Sequence, residues 1–269
     1  IWTAVERAGE EAASRAREKR QALLLKLSDT LRPLLDLSKI QLEAMRALGQ
    51  HLDVSRAQFY AVDTAGNHLQ RGEGFANGGS AVSGRYRLEK FASFVDDAFR
   101  AGETVTVRDV STDWRVAEGE RSFYEASDTR AFLGMPLCKG GSLAGAIVLH
   151  HRAPRDWTRE DIALVEDIAE RTWGALERAS AEMAQRESEE RFQQFARASS
   201  AGLWIRDAET LEMEFVSPAV AAIYGVGPDA LLGDRARWAA MIVPEDRDTA
   251  LGHLEKARDG DVAVHEFRV

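Results

Sequence analysis

From about residue 20 to residue 50 the apolar side chains Leu23, Leu24, Leu27, Leu31, Leu34, Leu35, Ile40, Leu42, Met45 and Leu48 recur near helical spacing. Pro33 marks a break or a fresh start in this stripe, because its ring removes a backbone donor. The period then drops to two. Residues 55–63 read as a strand and 68–75 as its hairpin partner, across Thr64-Ala65-Gly66-Asn67, where Gly and Asn supply the unusual backbone angles. A helix over 90–101 ends at Gly102, and a strand over 104–107 follows. After a polar loop and a short helix over 120–127 come two strands, 131–138 and 142–151, which Gly140-Gly141 joins as a hairpin. Thr158 caps a long helix, with Asp161 three residues on as an Asp version of the capping box, and the pattern carries that helix to about Ala198.

Residues 1–20 align without gaps on residues 172–191. They share Trp2/Trp173, Ala4/Ala175, Glu6/Glu177, Arg7/Arg178, Ala8/Ala179, Glu11/Glu182, Ala13/Ala184, Arg15/Arg186, Glu18/Glu189 and Arg20/Arg191. The paired tryptophans mark both segments as one device, a helix that leaves one domain and enters the next. Ile1 opens in mid-helix without a cap, so a similar domain is expected before it. Along the outgoing helix Ile162, Val165, Ala169, Thr172, Leu176, Ala179 and Met183 alternate three and four residues apart. Such a stripe packs either on its own domain or along a parallel dimer seam. The dimer is favoured, because a solitary polar helix of this length has little to bury.

Composition narrows the function. A net charge of −9, from 35 basic and 44 acidic residues, lacks the surplus that neutralising nucleic-acid phosphates requires. The longest apolar runs, such as 144–149, fall far short of the roughly 18 residues of a membrane span, so a cytoplasmic, membrane-free segment is expected. The single cysteine, Cys138, excludes disulfide frameworks and all-thiolate zinc sites. His150 and His151 are adjacent on a strand and point to opposite faces, so they cannot share one metal. His51, His68, His253 and His265 are scattered, and no metal site is expected. Gly225-Val-Gly227-Pro228 follows a helix rather than a strand and reads as a helix stop and start, not a dinucleotide turn. Asp96-Asp97, Glu189-Glu190 and Glu245-Asp246 are sequence neighbours and read as solvated surface or caps, so no active site is expected.

The segment 54–63, the helix at Phe91, the Asp109-Val110 turn, residues 130–137, the Gly140-Gly141 hairpin and Pro154-Arg155-Asp156-Trp157-Thr158 together resemble a GAF domain. His150-His151 and Glu170-Arg171-Thr172-Trp173 make it similar to those of bacterial sensor histidine kinases. Residues 191–269 resemble a PAS domain, through Phe195, Gly202-Leu203-Trp204-Ile205-Arg206-Asp207, Phe215-Val216-Ser217-Pro218-Ala219, Tyr224-Gly225, Leu231-Leu232-Gly233 and Pro244-Glu245-Asp246-Arg247. The resemblance implies an α+β chain in which an antiparallel GAF sheet flanked by helices is joined by a long helical linker to a truncated PAS domain. The expected divisions are a linker helix over 1–20, the GAF domain over 21–171, a helical linker and possible coiled coil over 172–195, and the PAS domain over 196–269. Val269 falls in what the resemblance makes the third of five PAS strands, so the last two are expected to be missing and this lobe to be the less ordered.

The resemblance also places candidate pockets. Phe59, Trp114, Phe123, Tyr124, Phe132, Met135 and His150 are candidates for the GAF cavity, and Trp204, Phe215, Trp238 and Met241 for the PAS cavity. Aromatic residues in these positions also serve as plain core. Relatives that hold a bilin through a thioether keep the cysteine beside a histidine in the helical loop region, and residues 114–130 contain neither, so Cys138 reads as a small hydrophobe and no covalent cofactor is expected. One thiol cannot both attack and be resolved, which argues against sulfoxide reduction. The residues of cyclic-nucleotide and flavin-reactive relatives are missing. The resemblance therefore implies the non-catalytic input and relay region of a sensor histidine kinase, dimerising in parallel with itself through helices 20–50 and 158–195 and feeding a downstream output domain. A non-covalent haem, flavin or bilin sensor is the first alternative. The input region of a cyclic-di-nucleotide synthase or phosphatase is the second.

Overall fold

The computed structural model describes residues 2–63, 68–77, 85–87, 92–207, 209–233, 235–258 and 268–269. The chain divides into two compact units, Ile1–Met183 and Ala184–Val269, with the division falling inside one continuous helix. The hairpin turn expected at Thr64-Ala65-Gly66-Asn67, the Phe91 position, His265 and most of the third PAS strand lie outside the described residues.

The first unit begins with α1 (Trp2–Leu31) and α2 (Leu37–His51). The break falls where Pro33 stands, and Asp36 restarts the chain by accepting hydrogen bonds from the Ser38 and Lys39 amides at 2.9 and 3.2 Å. Six antiparallel strands follow, β1 (Arg56–Val62), β2 (His68–Ala76), β3 (Arg85–Arg87), β4 (Val105–Val107), β5 (Ala131–Lys139) and β6 (Ser142–His151), in the order β3-β2-β1-β6-β5-β4. Between them lie α3 (Ser93–Arg100) and α4 (Glu118–Ala126), and α5 (Arg159–Ala198) leaves the sheet. The short β3 has no counterpart in the sequence reading. The β5–β6 turn places Gly140 and Gly141 at φ 55° and 80°, angles that side chains with a Cβ rarely adopt.

Side-chain alternation makes the sheet the middle of three layers. On one face Ala57, Phe59, Leu133, Met135, Ile147 and Leu149 join Leu24, Leu27, Leu31, Ile40, Met45 and Leu48 of α1 and α2 and Leu164, Val165, Ile168 and Ala169 of α5 in one buried cluster. On the other face Tyr60, Phe132, Ala146 and Val148 pack with Val95, Phe99 and Tyr124 of α3 and α4. Central strands buried on both faces carry hydrophobic side chains at nearly every position, as residues 131–135 and 145–149 do.

Two arginines fix α1 against α5. Arg20 donates to Asp167 through Nε and Nη2 at 3.1 and 2.6 Å and to the Ala163 carbonyl at 3.0 Å. Arg178 donates to the Leu31 carbonyl at 2.9 Å, one of the acceptors that the end of α1 leaves over. Both contacts span 147 residues of chain, so the two helices run in the same direction. Val165, Ala169, Thr172 and Ala179 of the expected seam are thus buried within their own chain, because α1 already supplies a parallel helix; Met183 is exposed. At the start of α5 Thr158 and Asp161 bond reciprocally, Thr158 N to Asp161 Oδ2 at 3.2 Å and Asp161 N to Thr158 Oγ1 at 3.1 Å.

The second unit contains the end of α5, a two-stranded antiparallel sheet of β7 (Trp204–Arg206) and β8 (Met213–Val216), and three helices, α6 (Pro218–Tyr224), α7 (Arg235–Ala240) and α8 (Pro244–Arg258). Gly225 closes α6 at φ 68° and a short 3-10 turn begins at Pro228, so this glycine motif is a helix stop and start. Leu211, Met213, Val216, Val220, Leu231, Trp238, Ala239 and Ile242 form its core.

Candidate functional site

The face of the sheet that carries α3 and α4 is the candidate site. Glu120 ties these two helices together at their starts, its carboxylate accepting from Ser93 N at 3.2 Å and from Ala117 N at 3.0 Å. The Ala92 amide donates to the Tyr124 hydroxyl at 3.4 Å. Beneath them Tyr124 stacks on Phe132, with ring centroids 5.3 Å apart and planes 3° from parallel, while Phe123 meets Tyr124 edge-on at 5.5 Å. Leu69, Val95, Phe99, Tyr124, Phe132, Gly134, Val148 and His150 enclose a cavity of about 10 Å³, space for one water at most. Gly134 forms its floor because a Cβ there would lie 2.7 Å from the Phe99 ring.

His150 is buried, with Nδ1 3.3 Å from Thr129 Oγ1. Burial, followed by the charges of Arg56 and Arg71, lowers its pKa to about 3, so the imidazole is neutral at physiological pH. Burial likewise pushes the Tyr124 phenol up to about 12. His151 points the other way, its Nδ1 3.1 Å from the Ala153 carbonyl. Alternation on the strand therefore separates the histidine pair, as the sequence requires.

Of the GAF-pocket candidates, the structure brings together Tyr124, Phe132 and His150, with Phe123 packed behind Tyr124. Phe59 and Met135 belong to the opposite face: each is an odd number of strand positions from a cavity-lining parity, so each packs against the helices α1, α2 and α5. Trp114 is 89% exposed in the loop before α4 and is not among the residues that line this cavity. In the second unit Trp238 is core, donating Nε1–H to the Tyr224 hydroxyl at 3.0 Å, and Met241 packs beside it. Phe215 lies against Phe192 at 5.0 Å, and Trp204 is 51% exposed, so neither is enclosed with Trp238. Cys138 is exposed rather than packed as a small hydrophobe, because a register shift between Leu137 and Cys138 carries it out at the hairpin end, away from the cavity lining.

The sequence motifs outside the cavity hold the scaffold. Arg130 grips Asp109 through two hydrogen bonds of 3.1 and 2.8 Å, and this pairing, with Ser111, lowers the Asp109 pKa to about 2. Arg155 donates to the Leu52 carbonyl at 2.6 Å behind α2 and stacks on Trp157 at 4.7 Å, and Trp157 Nε1 donates to the Val107 carbonyl at 3.2 Å. The Pro-Arg-Asp-Trp-Thr segment is a latch between the sheet and the start of α5. Missed in the sequence are Arg56, Gln58, Arg71 and Thr129, which form a polar row beside the cavity. The available signal was the pair Arg56 and Gln58, at alternate positions of a strand otherwise built of Ala57, Phe59 and Tyr60.

Among the described residues no group of three or more His, Cys, Asp or Glu is placed to hold a metal, and no helix is long and apolar enough to cross a membrane.

An antiparallel sheet thus lies between a layer of long helices and a small cavity roofed by short ones. Residues 36–176, just over half the chain, match the GAF domain family, and the chain belongs to it. The phycoerythrobilin-bound GAF domain of a cyanobacterial phytochrome is similar in fold, with TM-score 0.53, 14% identity, and 61% of this chain and 97% of that one covered. Free methionine-R-sulfoxide reductase from Neisseria meningitidis gives TM-score 0.51 at 18% identity, covering 61% and 91% of the two chains. The GAF domain of an Acinetobacter phosphoenolpyruvate-protein phosphotransferase gives 0.50 at 14%, covering 61% and 96%. No curated protein matches the chain.

Proposed function

We propose that this chain is the sensory input and relay segment of a bacterial sensor histidine kinase, in which a small ligand enters the α3–α4 face of the GAF domain and the helices α1 and α5 carry the response onward. The carrying observation is that β1, β5 and β6 send alternate side chains to the two faces. Phe132, Val148 and His150 touch the cavity, while Leu133, Ile147 and Leu149 are buried against α1, α2 and α5. The cavity is nearly closed, so a ligand enters only by displacing side chains around it, and a close-packed sheet passes that displacement to its other face. The response is then a shift between packings of α5 against α1.

The second unit is read as a PAS domain, supported by its short antiparallel pair followed by helices. The relay is read as acting in a parallel homodimer through helices 20–50 and 158–195. Leu25 on α1 is 62% exposed and Met183 on α5 is 41% exposed, apolar positions that α1–α5 packing leaves over. The fragment itself is read as non-catalytic.

Hydrogen exchange of Gly134→Ala tests the relay, because the new methyl group forces the Phe99 ring to move from the cavity side alone. Changed protection in α5 between residues 159 and 179 supports the reading. Changes confined to α3, β4 and β5 would sink it.

A further inference from the structure

Beside the cavity the first unit holds a buried amide donor that has no hydrogen-bond partner among the described residues. Gln58 is 2% exposed, and Arg71 Nε donates to its Oε1. That contact turns Gln58 Nε2 the other way, where it is buried and has no hydrogen-bond partner. Leaving an amide N–H₂ unpaired in the interior costs about 1–3 kcal/mol, so such a group stands out among buried polar atoms. The side chain lies over Gly74, its cross-strand neighbour, where a Cβ would be 2.1 Å from Nε2. On the same strand face Arg56 Nη2 donates to the Ser127 carbonyl at 2.8 Å and to Thr129 Oγ1 at 2.9 Å.

Neither Arg56 nor Arg71 has a carboxylate within ion-pair distance among the described residues. Asp128, the acid whose charge reaches Arg56, is itself paired with Arg152 at 2.7 Å. Burial holds Arg56 below the ordinary arginine value. A protein of net charge −9 thus places on one patch two guanidinium groups that have no acid partner among the described residues. The patch adjoins the cavity directly: Arg56 pairs in register with His150 and Gln58 with Val148, and both partners line the cavity.

Gln58 Oε1 already accepts from Arg71 and Thr129 Oγ1 from Arg56, and the group left without a partner in this row is the Gln58 Nε2 donor. The complement of this donor and the two guanidinium groups is an anionic group that only accepts. We propose that the first unit binds a small organic acid, its carboxylate received by Arg71, Gln58 Nε2 and Arg56 and its apolar body by Leu69, Phe132 and Val148. This rests on the ligand-sensing reading above and adds the chemical class. A planar carboxylate fits the fork of a guanidinium in a bidentate fashion, and the adjoining lining is aliphatic and aromatic. Cations are repelled by both arginines.

Calorimetric titration of the whole chain with benzoate, benzamide and phenyl phosphate at one ionic strength tests the assignment. Benzoate is expected to bind at least about tenfold more tightly than benzamide, and Arg71→Gln and Gln58→Met each to weaken benzoate about tenfold or more while leaving benzamide unchanged. Arg71→Lys, which keeps the charge but not the fork, is expected to lie between. Native-like amide spectra of each variant exclude unfolding as the cause. Equal binding of benzoate and benzamide, untouched by these substitutions, overturns the acid assignment and leaves ligand sensing standing. Tighter binding of phenyl phosphate than benzoate overturns the carboxylate in favour of a phosphate. Binding of none of the three overturns the assignment, and the sensing reading is then judged separately by whatever molecule accompanies the purified protein.

Discussion

Buried His150 makes the first unit acid-sensitive in a definite pH window. In the unfolded chain this imidazole takes up its proton near pH 6.5, whereas in the folded unit burial and the Arg56 and Arg71 charges hold its pKa at about 3. Below 6.5 the unfolded state therefore binds the additional proton. Stability contributed by the neutral ring is complete above the unfolded value and declines as pH falls from 6.5 toward 3. Each unit of pH inside that window is worth about 1.4 kcal/mol, so passing from about pH 7 to about pH 5 removes about 2 kcal/mol, a factor of about 30 in the folding equilibrium. The assay is urea unfolding at the two pH values, read by hydrogen exchange of the β5 and β6 amides so that only the first unit is followed. His150→Gln keeps a hydrogen-bonding side chain beside Thr129 but cannot titrate, and the difference between wild type and variant isolates this ring from other groups. Wild type is expected to lose about 2 kcal/mol more than His150→Gln over the interval. Parallel losses in the two proteins would refute the argument.

Four substitutions probe the layers. Phe132→Ala removes a buried ring stacked on Tyr124 and is expected to cost about 3–5 kcal/mol, whereas Trp114→Ala, at an 89% exposed site, is expected to stay within about 0.5 kcal/mol; thermal denaturation ranks the two. Gly145→Ala sets a methyl group 2.6 Å from the Tyr60 carbonyl oxygen, a backbone atom that cannot swing aside, and a loss of about 1–3 kcal/mol in urea unfolding is expected. Thr158→Ala breaks the reciprocal bond with Asp161 and is expected to cost about 1 kcal/mol, with faster amide exchange confined to the first turn of α5.

Sequence patterning was informative where one local rule decides. The Pro33 break, the Gly140-Gly141 turn, the Thr158 cap and the opposed histidines each follow from backbone chemistry within a few residues. It was silent on which parity of a doubly buried strand faces the cavity. Phe59 and Phe132 are equally apolar, and only the positions of α1, α2 and α5 decide that one meets helices and the other Tyr124. Trp114 was a pocket candidate because the family resemblance puts its loop around the cavity, whereas here it is 89% exposed, and the exposure of Cys138 goes with a register shift that alternation does not reveal. The row of Arg56, Gln58 and Arg71 escaped notice because polar residues on a strand read as its solvent face, and here that face is roofed.

Native mass spectrometry of freshly purified protein tests the central claim most directly. The account predicts one small molecule retained without a covalent bond by each chain, released on acid denaturation, and absent from Phe132→Ala, whose cavity wall is gone. A chain that flies at its bare mass, in wild type as in the variant, would contradict it.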